Sequence, residues 1–308
     1  MEHFKLNLES DFKFDDIVVA LGNFDGFHRG HQKLISELNN VKLEKGYKSA
    51  VFLFENHTKD LIFHQNASRI MSFEDKLNKL ESFKIDYVFS IEFSEKIKNL
   101  SPKEFLDFLT INLNIKHIVV GEDYKFSKNR EGNTDFIKSY MKEKCLSCTI
   151  IDKLRYDNIE ISSTKIIEYI KSGKIELAND LLGDNFSIKG KVTHGFQRGR
   201  NLGYPTANLE ISFNYVMVKE GVYFTKTIVD KKEYFSFSSV GYNPTFDNKK
   251  CTIESHIFDF DGDIYGKNIE LCFLERLRDN IKFNSVEELI EQLKKDEIRC
   301  RELIKNIK

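Results

Sequence analysis

The sequence contains no tryptophan, only 3 prolines and 5 cysteines, and its formal net charge is -1 over 308 residues. An odd number of cysteines cannot form a complete set of intrachain disulfides, so reduced thiols are expected. The Cys145-x-x-Cys148 pair has no second pair and no nearby histidine at ligand spacing, which argues against a metal or redox role. The near-neutral charge argues against a nucleic-acid-binding surface, so any nucleotide bound here is expected to be a small ligand.

Long apolar runs are absent as well. None approaches the roughly 20 residues that cross a bilayer, and the N-terminal segment MEHFKLNLESDFKF has no basic stretch followed by an apolar core. We therefore expect a soluble, cytoplasmic protein without a membrane partner. A chain of 308 residues is longer than one small core usually organises, which favours two domains.

The first half of the sequence alternates short apolar, β-rich runs with helical patterns, which predicts a parallel sheet wrapped by crossover helices. The predicted strands are residues 17–21, 50–54, 86–91, 117–120 and 148–151. The helix after the first strand is expected to stop at Gly46. Another helix has a clear start, with Ser101 as cap, Pro102 at the first helical position and Glu104 three residues after the cap.

The pattern changes in the second half. Two short helical segments end near Gly173 and Gly183, and residues 186–274 then consist of segments rich in β-branched and aromatic residues. Several short antiparallel strands of this kind predict a small barrel, because closure removes exposed edges.

An amphipathic helix is expected at the end of the chain, over about residues 286–304, with the capping-box pattern Ser285-x-x-Glu288 at its start. The predicted fold is thus α/β followed by β. The change in periodicity places the domain boundary between residues 1–184 and 185–308.

A glycine-rich turn, Gly22-Asn23-Phe24-Asp25-Gly26-Phe27-His28-Arg29-Gly30-His31, follows the first predicted strand. Glycines let the backbone approach a ligand closely, and the first turn of the next helix offers N–H groups and a positive dipole end to an anion. His28 and His31 are three residues apart, so both imidazoles can hydrogen-bond to phosphates. The alternative is a capped helix with two surface histidines; the coincidence of strand, glycines and H-x-G-H spacing favours a nucleotide site.

This stretch resembles the signature that nucleotidyltransferases share with class I aminoacyl-tRNA synthetases. The pattern G-x-F-D-G-x-H-x-G-H is similar in particular to the prokaryotic bifunctional riboflavin kinase/FAD synthetase family. The resemblance implies a Rossmann-like nucleotidyltransferase domain that adenylylates FMN to FAD. It also implies nucleotide binding by the Gly22-Asn23-Phe24-Asp25-Gly26 turn and catalytic roles for His28 and His31.

Two later segments resemble further motifs of that family. The stretch Gly121-Glu122-Asp123-Tyr124-Lys125-Phe126, with Arg130 after it, resembles a loop that helps to hold flavin and nucleotide, which implies binding by Asp123, Lys125 and Arg130. The stretch Ile161-Ser162-Ser163-Thr164-Lys165 resembles the I-S-S-T motif, whose hydroxyls and helix N-terminus bind ATP phosphates. Without the resemblance, each would be a polar loop or a helix cap.

The second pKa of a phosphate monoester such as FMN is about 6, so its phosphate is mostly dianionic at neutral pH. Adenylyl transfer to it therefore needs little base catalysis. The resemblance therefore implies positioning and charge stabilisation by His28, His31, Lys165 and a metal ion. Two positions depart from the family: Ile167 replaces the second basic residue of I-S-S-T-R-I-R, and Thr58 replaces the proline of the usual His-Pro. The lost arginine removes a bidentate phosphate contact that lysine does not copy.

The second domain opens with a glycine-rich stretch that ends in Pro205-Thr206-Ala207-Asn208. It closely resembles riboflavin kinase, in which P-T-A-N supplies a hydroxyl and an amide oxygen to Mg²⁺ and ATP; oxygen ligands of this type suit Mg²⁺. A glycine-rich hairpin loop is the alternative. The residues of this stretch that are implied to bind the nucleotide are Gly190, His194, Gly195, Gly199, Arg200, Gly203, Thr206 and Asn208, with Thr206 and Asn208 at the metal.

Glu254 lies in a predicted strand, where alternation places it on the same face as His256 and opposite to Ile253 and Ser255. The family pattern implies that Glu254 is the catalytic base that accepts the proton of the riboflavin 5′-hydroxyl. By the same resemblance, Asn243 and Arg278 are cofactor-binding residues, although Arg278 could equally be a solvated surface arginine.

Three hypotheses remain open at this point. The favoured one is a bifunctional enzyme that uses ATP and Mg²⁺ to convert riboflavin to FMN and FMN to FAD, acting as a monomer or weak homo-oligomer with small molecules alone as partners. The second keeps the kinase but treats the first domain as weak or inactive, because of Ile167 and Thr58. The third is a flavin- or nucleotide-binding protein without turnover, against which Thr206, Asn208 and Glu254 argue.

Overall fold

A computed structural model describes residues 1–10, 12–56, 67–194, 199, 202–242 and 251–307. The chain forms two compact units, Met1–Ser163 and Thr164–Lys308. The domain boundary expected from periodicity, between residues 184 and 185, stays a prediction. Within the described residues, no helix is both long enough and apolar enough to span a membrane.

The first unit contains a six-stranded parallel sheet. Its strands are β1 (Glu2–Leu6), β2 (Ile17–Leu21), β3 (Lys48–Phe54), β4 (Tyr87–Ile91), β5 (Ile115–Gly121) and β6 (Ser147–Ile151). The five strands expected from the sequence are confirmed. β1 was missed; it lies at the sheet edge beside β4, and its mostly exposed EHFKL sequence lacks the apolar run that marks the inner strands.

The spatial order β1-β4-β3-β2-β5-β6 explains where a ligand can bind. After β2 the chain builds outward on one side through β3 and β4, and it then returns to place β5 on the other side of β2. Adjacent loops therefore diverge at the carboxyl ends of β2 and β5, where Ala20 is paired with Val119. Ligands of open α/β sheets bind in the crevice at such a switch point.

Helices cover both faces of this sheet. They are α1 (Arg29–Lys45), α2 (Phe73–Glu81), α3 (Glu95–Lys98), α4 (Pro102–Asp107, continued by a π-helical turn) and α5 (Thr134–Glu143). Gly46 ends α1 with a φ of 67°, and Ser101 and Glu104 form both bonds of a capping box, as the sequence predicts. A short ribbon of β7 (Arg155–Tyr156) and β8 (Ile159–Glu160) follows the sheet.

Two helices precede the barrel strands. These are α6 (Ser163–Ser172) and α7 (Ile175–Leu182), and the glycines that follow them, Gly173 and Gly183, have φ values of 77° and 72°. Both termination points agree with the sequence prediction, because a residue in the left-handed region ends a helix and glycine adopts that conformation without strain.

A closed antiparallel barrel forms the body of the second unit, as the sequence predicts. Its strands are β9 (Ser187–Thr193), β10 (Ala207–Glu210), β11 (Gly221–Val229), β12 (Lys232–Tyr242), β13 (Cys251–Ile257) and β14 (Asn268–Arg278). Hydroxyl side chains occupy part of the interior and bond to one another. They are Thr225, Thr227, Ser236, Ser238 and Ser255.

The last helix, α8 (Val286–Asn306), packs on the outer face of the barrel. Its buried Cys300, with Leu293, Leu303 and Ile304, contacts apolar side chains of the strands. The predicted capping box is only half formed: Ser285 accepts from the Glu288 N–H, but the Glu288 carboxylate accepts from the Asn284 N–H. The helix and the barrel enclose a space that is lined mainly by apolar side chains.

Candidate active sites

The turn after β2 has a strained backbone. Phe24, Gly26 and Phe27 have φ values of 48°, 78° and 45°, all in the left-handed region. Glycine adopts this conformation freely, but for the two phenylalanines it costs about 1–3 kcal/mol each. Both aromatic rings are fully buried, so the phenylalanine side chains pack beneath the turn.

Hydrogen bonds from other segments hold this turn. The Asp25 carboxylate accepts from the Ile70 N–H at 3.1 Å, and the Asp25 carbonyl accepts from the Ser163 hydroxyl at 2.9 Å. The Asn23 carbonyl accepts from the Lys76 ammonium at 2.8 Å. Asp25 and Ser163 were both expected to bind nucleotide. The hydrogen bond between them joins the turn to the start of the I-S-S-T helix.

The two histidines of H-x-G-H meet face to face. Their ring centroids are 3.7 Å apart with an interplanar angle of 15°. His28 is the N-cap of α1, and its Nδ1 accepts from the His31 N–H at 3.4 Å. Nδ1 of His31 is buried and has no hydrogen-bond partner among the described residues.

Both imidazoles are neutral at pH 7. Burial lowers the pKa of His28 from 6.5 to about 4. The pKa of His31 lies well below 6.5, mainly because of burial and also because of the neighbouring charges of His28 and Lys76. The pair can therefore donate and accept hydrogen bonds but does not supply fixed positive charge at neutral pH.

The loop after β5 lies on the other side of the switch point. Asp123 is close enough for its charge to raise the pKa of His28, against the larger effect of burial. The Asp123 carboxylate is 3.9 Å from the Lys153 ammonium. Lys125 and Arg130 are exposed side chains of the same loop. The structure thus brings Asp123 towards the histidines, as expected for two loops that flank one crevice.

The I-S-S-T-K segment runs into the first turn of α6. Ser162 precedes the helix, Ser163 begins it, and Thr164 and Lys165 follow within it. The Lys165 ammonium is 3.0 Å from both carboxylate oxygens of Glu168 and 4.9 Å from the centre of the Tyr169 ring.

Of the two departures from the family pattern, Ile167 lies within α6. Thr58 lies outside the residues that the structure describes.

A cavity of about 330 Å³ lies in the second unit between the barrel and α8. That volume is within the range of ligand pockets, which are mostly apolar with a few polar groups that fix orientation. The apolar wall includes Tyr204, Val222, Phe237, Leu289 and Leu293. The polar groups include Thr206, Glu254, Arg278 and Asp296.

Glu254 and the P-T-A-N segment lie side by side. β10 and β13 are antiparallel neighbours that pair Asn208 with Glu254, and the Thr206 hydroxyl donates to the Glu254 carboxylate at 3.3 Å. His256, on the same strand face as Glu254, lies 2.8 Å through Nδ1 from the Pro205 carbonyl. Ser255 is buried inside the barrel, so the alternation predicted for this strand is confirmed.

Arg278 is not a solvated surface arginine. Its guanidinium forms a two-pronged ion pair with Asp296 of α8, with Nε 2.9 Å from Oδ1 and Nη2 2.6 Å from Oδ2. Asp296 is only 4% exposed and also accepts from the Gln292 side chain at 2.8 Å. The pair connects the terminal helix to the barrel beside the cavity. Asp296 was not predicted from the sequence because a charged residue in an amphipathic helix normally faces solvent.

The predicted glycines and histidine of the second unit have different surroundings, and of the glycines that the structure describes only Gly199 lines the cavity. A Cβ at Gly199 would collide with the Tyr204 carbonyl, and the Tyr204 N–H donates to the Gly199 carbonyl at 2.9 Å. Gly190 lies within β9, and Gly203 has a φ of 81°. His194 stacks on Tyr265 with ring centroids 3.9 Å apart. Three other predicted site residues, Gly195, Arg200 and Asn243, lie outside the described residues.

Known proteins resemble both halves of the chain. A family model described as FAD synthetase matches residues 12–165, and one described as riboflavin kinase matches residues 182–304. A bifunctional riboflavin kinase/FMN adenylyltransferase from Bacillus subtilis is 36% identical, with 94% of this chain and 93% of that protein covered. This chain belongs to the bifunctional riboflavin kinase/FMN adenylyltransferase family.

Another protein of the same name, from Listeria monocytogenes, is 37% identical over 91% of this chain and 90% of its own length. Among solved structures, the crystal structure titled macrolide-efflux protein from Streptococcus pneumoniae has a TM-score of 0.91 and 32% identity. It covers 98% of this chain and 99% of its own. The family fold therefore extends over both units, whereas the word efflux belongs to that protein's title alone.

Two contributors to these sites gave no motif signal in the sequence. Lys76 lies in α2, a helix that the sequence analysis did not identify, and it touches the turn across a separation of 53 residues. Asp296 reaches Arg278 from the terminal helix. Neither contact has a local pattern, so only the assembled fold could reveal them.

Proposed function

We propose that the protein is a bifunctional enzyme of FAD synthesis. The barrel domain transfers the γ-phosphoryl group of ATP to riboflavin, and the first domain transfers the adenylyl group of ATP to FMN with release of pyrophosphate. The observation that carries the proposal is the presence of two separate candidate sites: stacked imidazoles beside a glycine-rich turn, and a carboxylate beside P-T-A-N in a cavity of about 330 Å³.

In the kinase site, Glu254 is the proposed general base. The riboflavin 5′-oxygen attacks the γ-phosphorus, the bond to the β–γ bridging oxygen breaks, ADP leaves, and the hydroxyl proton passes to the Glu254 carboxylate. The Thr206 hydroxyl, 3.3 Å away, orients that carboxylate. The apolar wall that includes Tyr204 and Phe237 suits the flavin ring system.

Mg²⁺ fits the donor set at this site. The Thr206 hydroxyl donates to the Glu254 carboxylate, and Asn208 is paired with Glu254 across the two strands. Hard oxygen ligands of this type suit an ion that takes its other ligands from phosphate and water. When bound with ATP, the ion neutralises phosphate charge. Among the described residues, no group of three or more His, Cys, Asp or Glu side chains could hold a metal on its own.

Adenylyl transfer needs no proton acceptor in the proposed reaction. A dianionic FMN phosphate oxygen attacks the α-phosphorus of ATP, and the bond to the α–β bridging oxygen breaks as pyrophosphate leaves. The first turn of α1 and the neutral imidazoles of His28 and His31 donate hydrogen bonds to the phosphates. Asp123, Lys125, Arg130, Thr164 and Lys165 remain proposed binding residues for this site.

One incubation tests the proposal. Purified protein is incubated with riboflavin, ATP and Mg²⁺, and the flavins are separated by chromatography. We expect FMN to form first and FAD to form from it. Accumulation of FMN without FAD would favour the kinase-only alternative that Ile167 suggests. Unchanged riboflavin would overturn both. The monomeric or weakly oligomeric state, the cytoplasmic location and the lack of a nucleic-acid partner stay predictions from the sequence.

A further inference from the structure

Lys76 is a buried lysine that the proposed mechanism does not use. It lies on α2 with only 8% of its surface exposed. Burial of an ammonium group is unfavourable unless it is paired or hydrogen-bonded, so such a lysine is normally retained for a specific contact. Its Nζ donates to the Asn23 carbonyl at 2.8 Å, within the glycine-rich turn.

Residues 70–76, the segment that carries Lys76, form hydrogen bonds to the turn at two residues, Asn23 and Asp25. Lys76 holds the Asn23 carbonyl, and the Ile70 N–H holds the Asp25 carboxylate at 3.1 Å. Between these two points lies Phe24, whose left-handed backbone is strained. A strained residue persists only where its surroundings over-determine it, and the two contacts supply that constraint from outside the motif.

We infer that Lys76 is a positioning residue of the adenylyltransferase site, which fixes the strained turn through the Asn23 carbonyl and places a positive charge behind the phosphate-binding backbone. The inference rests on the proposed FMN adenylyltransfer. Lys76 acts through the turn, whereas His28 and His31 face the phosphates.

Burial and the charged groups that face Lys76 together set its pKa. Burial lowers the pKa of Lys76 to about 8, the Asp25 carboxylate opposes this shift, and Arg69 adds to it. The positive charge of Lys76 in turn contributes to the low pKa of His31. The ammonium is therefore present at pH 7 and is lost as the pH rises through about 8.

Kinetics of three variants test the inference. Lys76→Met removes both the donor and the charge, and we expect kcat for FAD formation from FMN to fall about 10- to 100-fold, the effect of a misplaced reacting group. Lys76→Arg keeps both and is expected to recover most of that loss. Lys79→Met, on the same helix but less buried, is the matched control. Riboflavin phosphorylation by the same chains measures correct folding.

A pH profile separates positioning from general structural support. FAD formation by the wild type is expected to decline above about pH 8, while the alkaline limb of Lys76→Arg moves to higher pH because a guanidinium stays protonated. Wild-type kinetics in Lys76→Met, an equal loss of both activities, or identical alkaline limbs in wild type and Lys76→Arg would each overturn the inference. Wild-type protein that forms no FAD from FMN would instead overturn the proposed function itself.

Discussion

The two candidate sites are built from different parts of the chain. In the first unit the cradle is backbone: a turn with three left-handed residues, held from outside by Lys76, Ile70 and Ser163. In the second unit the site is a cavity defined by side chains, with Glu254 and Thr206 at its polar end. The geometry of the first site therefore depends on contacts that fix the backbone of a loop. The geometry of the second depends on the positions of individual side chains.

The largest expected effect is at Glu254. Glu254→Gln keeps the shape of the side chain but removes the proton acceptor, so we expect kcat for riboflavin phosphorylation to fall about 100- to 10,000-fold. FAD formation from added FMN should stay at the wild-type rate, which is the control within the same chain. A kinase rate within a few-fold of wild type would show that Glu254 is not the base.

The next effect is at the paired imidazoles. We expect the double variant His28→Ala, His31→Ala to lose FAD formation about 100- to 1,000-fold, because two preorganised donors to the phosphates are removed. FMN formation should be unaffected. Loss of both activities in a folded protein, judged by circular dichroism, would contradict the division of labour between the units.

A smaller effect is expected at the ion pair that holds the terminal helix. Asp296→Ala leaves Arg278 without its buried partner, and breaking such a pair typically lowers the free energy of unfolding by about 3–5 kcal/mol. The loss should appear in denaturant unfolding, together with a raised KM for riboflavin. Glu302→Ala on the exposed side of α8 is the control, and equal stability of the two variants would refute the role of the pair.

The smallest effect concerns acid stability of the first unit. Burial lowers the pKa of His28 and of His117 from 6.5 to about 4. Between those values the unfolded chain binds protons that the folded chain does not, so the free energy of unfolding falls as the pH drops below 6.5. The slope is about 1.4 kcal/mol per pH unit for each fully titrating histidine.

Hydrogen exchange of the β5 amides at pH 7, 6 and 5 would measure this dependence. Protection should decrease steadily with acidification, and His117→Asn should flatten the decrease. In the folded chain His117 is bonded through both ring nitrogens, 2.7 Å from the Ser147 hydroxyl and 2.9 Å from that of Thr149. Protection that is unchanged between pH 7 and pH 5 would contradict the assigned cause.

Local patterns predicted most of the fold because their causes are local. The five predicted strands have apolar runs, Gly46, Gly173 and Gly183 end their helices, and alternation along β13 placed Glu254 and Ser255 on opposite faces of the strand. β1 escaped detection because its EHFKL sequence lacks such an apolar run.

The site was predictable only where a motif is contiguous. G-x-F-D-G-x-H-x-G-H and P-T-A-N each bring their residues together by sequence alone. Lys76 and Asp296 reach their partners through tertiary structure, Lys76 from a helix that was not predicted and Asp296 from the amphipathic terminal helix. Asp25 was expected to bind nucleotide, and the structure places its carboxylate on the Ile70 amide, a relation that no local spacing encodes.

The central claim is that one chain carries two independent catalytic sites, and a complementation measurement tests it most directly. Glu254→Gln protein and the His28→Ala, His31→Ala protein are incubated separately and in an equimolar mixture with riboflavin, ATP and Mg²⁺. Neither variant alone should form FAD, whereas the mixture should form it, because FMN made by the double variant is adenylylated by the other. A mixture that forms no FAD, although both variants retain their remaining activity, would contradict the account.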